Sequence, residues 1–232
     1  MFAMANLDDA KREAAHAATA ELPKDGVIGL GTGSTARFFI EEVAKLVRGG
    51  RDFRGVPTSD ASRKQAEALG IPLLGDEGPW QVDVTVDGAD EVDPSLGLIK
   101  GGGGAHLREK VVNYASRRNV IVVDETKLSA RLGDKWHVPV EVVRFAHAQT
   151  ASRLVAVGRP TLRHDKDGAV FVTDSGNLIY DVATGPMSDP WAVEGALRTI
   201  PGVVETGLFL GRANVVIVAG STGVRRLVPG DA

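Results

Sequence analysis

The stretch Val82 to Lys110, VDVTVDGADEVDPSLGLIKGGGGAHLREK, concentrates side chains that can move protons. An apolar alternation runs into Asp87-Gly88-Ala89-Asp90-Glu91. Carboxylates at a strand end can exchange protons with the hydroxyls of a polar ligand, hold a metal, or do no more than solvate a turn. No D-x-D-x-D-G calcium-loop spacing is present. Lys100 then precedes Gly101, Gly102, Gly103 and Gly104. Ordering a glycine costs about 1 kcal/mol or more of conformational entropy. A run of them suits backbone that must pass close to something, and Lys100 sets a cation beside it, apt for a developing oxyanion. The alternative is a flexible loop with a surface lysine. Glu109 follows near the start of a helix. A carboxylate is favoured there by the helix dipole alone, and in a dry site it also suits a general base.

A second group lies earlier, at Gly31-Thr32-Gly33-Ser34-Thr35. Glycines let the backbone approach an anion, a following helix N-terminus offers N–H groups, and Thr32, Ser34 and Thr35 add hydroxyls. This is chemistry for one phosphate. No Gly-Lys-Ser/Thr follows, so it is not a Walker A loop. Gly31, Gly33 and Ala36 do fit G-x-G-x-x-A, with Asp60 after the second strand, which keeps a dinucleotide fold open. Lys127 and Arg131 follow the strand that ends at Asp124 and can reach a phosphate or simply solvate a helix. His106, a lone histidine, reads as structural, and the three tryptophans as core or interface residues.

These groups need elements to hold them. Helices are predicted over Leu7–Leu22 (Asp8 as N-cap), Ala36–Val47, Ser62–Leu69 and Ala105–Arg117. Strands are predicted over Val27–Leu30, Phe53–Thr58, Ile71–Leu74, Val82–Val86 and Val120–Val123. Strands alternating with helices argue for a Rossmann-like α/β domain with a parallel sheet. Beyond Leu132 the pattern changes. Strands over Val138–Arg144, Thr161–Arg163, Val170–Thr173, Leu178–Val182 and Val203–Thr206 surround helices over Ala148–Val157 and Pro190–Thr199. Asp174-Ser175-Gly176-Asn177 signals a hairpin. This is a β-α-β-β-α-β order with an extra strand, a smaller ferredoxin-like α+β domain. An apolar strand over Asn214–Ala219 returns to the first sheet. The expected domains are therefore 1–132 with 210–232, and 133–209.

Composition excludes several classes. A formal net charge of -3 argues against binding nucleic acid through counterion release. The absence of cysteine removes disulfides, thiolate catalysis and zinc–cysteine sites. No apolar stretch is long enough to span a membrane, and no secretory signal is recognisable at the N-terminus, so a cytoplasmic protein with no membrane partner is expected.

The blocks GLGTGST, TSDAS, VDGADEVD, KGGGGAHLREK, VVDETK and VPVEV, taken in this order, resemble the A-type ribose-5-phosphate isomerases. The combination DGAD, KGGG and REK is far more specific than any one part. The resemblance implies interconversion of ribose 5-phosphate and ribulose 5-phosphate in the non-oxidative pentose phosphate pathway. It implies a sugar phosphate as partner, no cofactor or metal, and a homodimer or homotetramer. It also implies roles. Glu109 matches the proton acceptor. Thr32, Gly33, Ser34 and Thr35 match a first substrate loop, and Asp87, Gly88, Ala89 and Asp90 a second. Lys100 with Gly101 to Gly103 matches a third, and Lys127 a further contact. Lys11 matches a lysine sometimes found near the phosphate. Gly104 departs from the family's usual alanine, and His106-Leu107 is a less usual pair. Three rivals remain on the residues alone: a nicotinamide oxidoreductase using Gly31 to Ala36, a non-catalytic sugar-phosphate sensor, and an acyl-CoA transferase or amino-sugar isomerase of the same fold type.

Overall fold

The structure, a computed structural model, describes residues 7–230. Helix α1 (Leu7–Ala17) tightens into a 3-10 turn (Ala18–Glu21) before Pro23, and Asp8 lies inside its first turn, not at its cap. Strand β1 (Gly26–Leu30) leads into α2 (Ala36–Arg48), whose Phe38, Phe39, Ile40, Val43 and Ala44 form one buried stripe and which stops at Gly49. Next come β2 (Phe53–Pro57) and α3 (Asp60–Ala68). The start of α3 is fixed by a capping box in which Ser59 and Ser62 bond each other's backbone N–H. Strand β3 (Val82–Asp87) is followed by two short strands, β4 (Glu91–Val92) and β5 (Leu98–Ile99). Helix α4 (His106–Ala115) passes directly into β6 (Ser116–Asp124). Then follow β7 (Val138–Val142), α5 (His147–Leu154), β8 (Arg159–Leu162) and β9 (Leu178–Ala183). Helix α6 (Pro190–Arg198) begins with Pro190 behind an Asp189 cap. The last strands are β10 (Val203–Thr206), β11 (Leu208–Phe209), β12 (Val215–Gly220) and β13 (Gly223–Leu227).

The chain forms two compact units. The first comprises the chain up to Ala89, Arg108–Lys127 and the segment from Arg212; the second comprises Asp90–Leu107 and Leu128–Gly211. This differs from the expected division by the excursion 90–107, which clusters with the second unit, and by the short segments 128–132 and 210–211, which do so too. In the first unit one sheet runs β13-β12-β6-β3-β1-β2, parallel except for β13 against β12. Read from β2, the parallel strands come in the order β2-β1-β3-β6-β12, so the order reverses direction at β1 and β3. Its core holds Ile28, Leu30, Phe38, Phe39, Phe53, Val86, Val122 and Ile217, each at most 2% exposed. Burial of each such side chain contributes about 1.5–3 kcal/mol. In the second unit β7, α5, β8, β9, α6 and β10 give the four-stranded antiparallel order β10-β7-β9-β8, the ferredoxin-like arrangement, and β11-β5-β4 form a separate small sheet.

Some predicted elements are absent. Ile71–Leu74 is only a bridge from Leu73 to Gly55, because Pro72 has no N–H to extend a ladder. Val170–Thr173 is bridged to His164 on one side and to Leu178 on the other, and β9 takes β8 as its regular partner. The tryptophans are not core: Trp191 is 64% and Trp136 37% exposed, and Trp80 is half-buried with its indole donating to Gly75 O. Among the described residues no helix is long and apolar enough to cross a membrane.

Candidate active site

In the first unit, the loops that leave β1 and β3 emerge together at the carboxyl ends of adjacent parallel strands, where the strand order reverses. In such sheets that crevice receives the ligand. The two loops are tied. Gly31 N donates to Val86 O at 3.0 Å, and Thr32 N donates to Asp87 Oδ1 at 3.0 Å. The same oxygen accepts Gly88 N at 2.8 Å. The approach needs a glycine: a Cβ on Gly31 would lie 2.6 Å from Asp87 Cα and nearer still to its carboxylate. Thr32 Oγ1 bonds Thr58 Oγ1 and Ser59 Oγ, both at 2.8 Å, which joins the end of β2 to the cluster. Gly33 takes φ +113°. Gly33 and Ser34 are exposed, Thr35 is buried, and α2 begins at Ala36. A cavity of about 400 Å³ opens here, lined by Thr32, Gly33, Ser34, Arg37, Ser62 and Gln65 among others. Hydroxyls, a cation and a helix N-terminus suit a phosphate.

Elsewhere in this unit, Glu109 sits in the first turn of α4 and is 4% exposed, with Lys110 beside it at 5%. Arg108 Nη1 bonds Asp60 Oδ1 at 2.7 Å. Asp60 is thus engaged by a cation where a dinucleotide fold needs an acid for the ribose. Lys127 is half-buried in the 3-10 turn after β6, whose Asp124 Oδ1 accepts Thr126 N at 3.0 Å. Lys11 pairs with Asp8 on α1 at 3.7 Å.

The second unit holds the rest. Asp90 is half-buried, and its Oδ2 accepts Gly102 N at 2.6 Å. Lys100 is 3% exposed; its N donates to Gly207 O at 2.8 Å, and its Nζ lies 5.4 Å from the Phe209 ring centroid. Gly101 and Gly104 take positive φ, while Gly102 and Gly103 are exposed. An alanine at Gly104 would be strained: φ is +80°, and a Cβ would lie 2.4 Å from the Phe171 ring, which would have to shift. Glu91 does not share the role of the acids beside it. It is fully buried and accepts from Ser129 Oγ and from the N–H groups of Gly133, Lys135 and Trp136. His106 is also fully buried, with Nε2 3.9 Å from Glu141 Oε2. Arg131 is exposed on the surface.

Four residues stand out that sequence reasoning did not assign: Thr58 and Ser59 behind Thr32, and Arg37 and Gln65 in the cavity wall. TSDAS signalled the first two; nothing local signalled the others. Among the described residues, no group of three or more His, Asp or Glu side chains is arranged to hold a metal ion.

The fold and the β1/β3 loops define an α/β protein with a glycine-rich loop tied to a strand-end carboxylate. The profile of ribose 5-phosphate isomerase A (phosphoriboisomerase A) matches residues 54–223. The chain belongs to that family. It is 50% identical over 229 residues to ribose-5-phosphate isomerase A of Caulobacter vibrioides, covering 96% of this chain and 99% of that protein. It is 48% identical over 227 residues to the same-named protein of Desulfatibacillum aliphaticivorans, covering 97% and 99%. A solved D-ribose-5-phosphate isomerase in complex with phospho-erythronic acid is 40% identical, with a TM-score of 0.92 over 97% of this chain and all of that one.

Proposed function

We propose that this chain is an aldose–ketose isomerase that interconverts D-ribose 5-phosphate and D-ribulose 5-phosphate through a cis-enediolate. The observation that carries the reading is the bond from Thr32 N to Asp87 Oδ1, which ties a phosphate-type loop to a strand-end acid at the switch point of the sheet. Family membership supplies the substrate: the relatives bear that activity in their names.

The roles follow from the chemistry each group can do. Thr32 to Thr35, with the N–H groups at the start of α2, hold the phosphate. Asp87 or Asp90 assists ring opening and moves protons among the sugar hydroxyls. Glu109 removes the C2 proton of the open aldose and returns it to C1, which leaves a carbonyl at C2 and a hydroxyl at C1. Glu109 is 4% exposed, so the proton it moves is kept from bulk water. Lys100 and a backbone N–H of the Gly101 to Gly103 loop stabilise the enediolate, whose charge appears only as the proton leaves. Gly88 and Ala89 let the acidic loop pass close to the sugar, and Lys127 is a further substrate contact. The reaction is redox-neutral within one molecule, so we infer that no cofactor is used. A cytoplasmic homodimer or homotetramer serving the non-oxidative pentose phosphate pathway completes the reading.

The test is a coupled assay on chelator-treated protein with ribose 5-phosphate. Turnover without added metal is expected, with competitive inhibition by phospho-erythronic acid. A folded protein that does not turn over ribose 5-phosphate refutes the proposal.

A further inference from the structure

The glycine run after Lys100 is held by a device from the ferredoxin-like sheet. Arg163, just beyond β8, points its guanidinium at the run. Its Nη1 donates to Gly101 O at 2.7 Å and, at a longer 3.4 Å, to Gly102 O. The other side of the guanidinium is fixed by Asp181 on β9, which accepts from Nε at 2.9 Å and from Nη2. Arg163 is 13% exposed. The peptide between Gly101 and Gly102 is thus gripped at both ends, by Arg163 on its carbonyl and by Asp90 Oδ2 on its N–H at 2.6 Å. Behind it there is no slack: a Cβ on Gly101 would lie 2.7 Å from His106 Nδ1. Phe171, whose N donates to Arg163 O at 3.0 Å, closes the far end against Gly104.

A trans peptide sets its N–H opposite its carbonyl. With Gly102 O turned toward Arg163, the Gly103 N–H is turned the other way, on an exposed residue. We infer that Arg163, locked by Asp181, is a positioning residue: with the Gly102 N–H held by Asp90, it fixes the peptide planes of Gly101 to Gly103 so that the Gly103 N–H, turned away from Arg163, faces the developing enediolate. This rests on the proposed isomerase reaction. Glycine peptides rotate freely when untethered, so a run of them makes a preorganised donor set only if something outside the run holds it. The fork geometry explains the choice of residue. A guanidinium can bind a carboxylate with two donors and still offer a third to a carbonyl, which an ammonium on a flexible stem does not do in one fixed plane.

The experiment compares wild type, Arg163→Lys, Arg163→Ala and Asp181→Asn. Melting curves and circular dichroism are recorded for each, followed by kcat, KM and the inhibition constant of phospho-erythronic acid. Arg163→Lys is expected to stay folded and lose roughly 10- to 100-fold in kcat, the scale of a misplacement of about 1 Å, with KM within about 3-fold. Asp181→Asn should lose kcat in the same direction by less. Inhibitor affinity should fall with kcat, and added guanidinium should restore part of the turnover of Arg163→Ala. Unchanged kcat in folded Arg163→Lys overturns the inference, as does a rise in KM alone, or a loss that only mirrors the unfolded fraction in every variant. Wild-type protein without isomerase activity overturns the proposed function itself, and is seen before any variant is measured.

Discussion

Gly31→Ala tests how tightly the two loops of the first unit must approach. Gly31 has an ordinary φ, so alanine is not strained by its own backbone. The obstacle is Asp87: the new Cβ would lie 2.6 Å from its Cα, where ordinary contact begins near 3.4 Å. Backbone cannot swing aside as a side chain can, so β1 and β3 must part locally by about 0.8 Å, the difference of those two distances. The bond from Thr32 N to Asp87 Oδ1, now 3.0 Å, would stretch toward 3.8 Å and be lost. Losing a hydrogen bond to a charged group costs about 1.5–3 kcal/mol, and overpacking about 1–3 kcal/mol more. A total near 3–5 kcal/mol is expected in urea unfolding, with kcat/KM for ribose 5-phosphate down roughly 100-fold from displacement of the phosphate loop. Gly33→Ala is the control. It meets no atom within 4 Å but sits at φ +113°, so it carries backbone strain of about 1–3 kcal/mol without driving β1 from β3. If Gly31→Ala proves no worse than Gly33→Ala in both stability and kcat/KM, the close approach is incidental and the reasoning fails.

Glu109→Gln should keep the melting temperature and the binding of phospho-erythronic acid while kcat falls roughly 10²- to 10⁴-fold; near wild-type turnover would remove Glu109 from the base role. Glu91→Ala strips one carboxylate from four donors in a fully buried position and should cost about 3–5 kcal/mol in urea unfolding; a loss below about 1 kcal/mol would contradict its anchoring role. Burial pushes the Glu42 carboxyl up, but its hydrogen bonds with Lys45 and His16 outweigh that and hold it below the usual carboxylate value. A carboxylate lowered in the folded state contributes stability above its unfolded pKa and loses it as pH falls through the folded one. The stability gap between wild type and Glu42→Gln, under about 1 kcal/mol at neutral pH for a surface cluster, should therefore close between about pH 5 and pH 3; a gap independent of pH would refute the linkage.

Much of this molecule is legible in the chain because the parallel sheet writes itself in apolar runs. Val27–Leu30 and Val120–Val123 are continuous apolar stretches of the kind a sheet covered on both faces demands, Val82–Val86 alternates as a strand does, and the glycines after the first of them mark a loop that must come close to something. What is illegible is mostly short-range. β4 and β5 are two residues each, too brief for any period, so the departure of 90–107 from the first unit leaves no trace in composition. Asp90 and Glu91 read as a pair of like acids, and a single step along the chain separates a half-buried carboxylate on the glycine loop from a buried anchor. Gly104 and His106 read as oddities of the motif; their reasons lie at Phe171 and Glu141, far along the chain. Trp191 and Trp136 read as core or interface residues, and their exposure removes the first of those two readings.

The pairing of β5 with β11 has a consequence for how the protein comes into being. Ile99 aligns with Leu208, and Lys100 N is held by Gly207 O, partners translated about a hundred residues later. On the ribosome Thr32, Asp87, Lys100 and Glu109 all emerge about a hundred residues or more before Gly207, so the bond from the lysine's N–H to Gly207 O forms only after all of them are made. Closures over such sequence distances are slow, because the intervening chain must be gathered before the contact repays it. A nascent chain stopped before Gly207 would carry every residue proposed for the chemistry and still lack its geometry. Turnover by this protein is in that sense a reading of whether translation has passed Leu208.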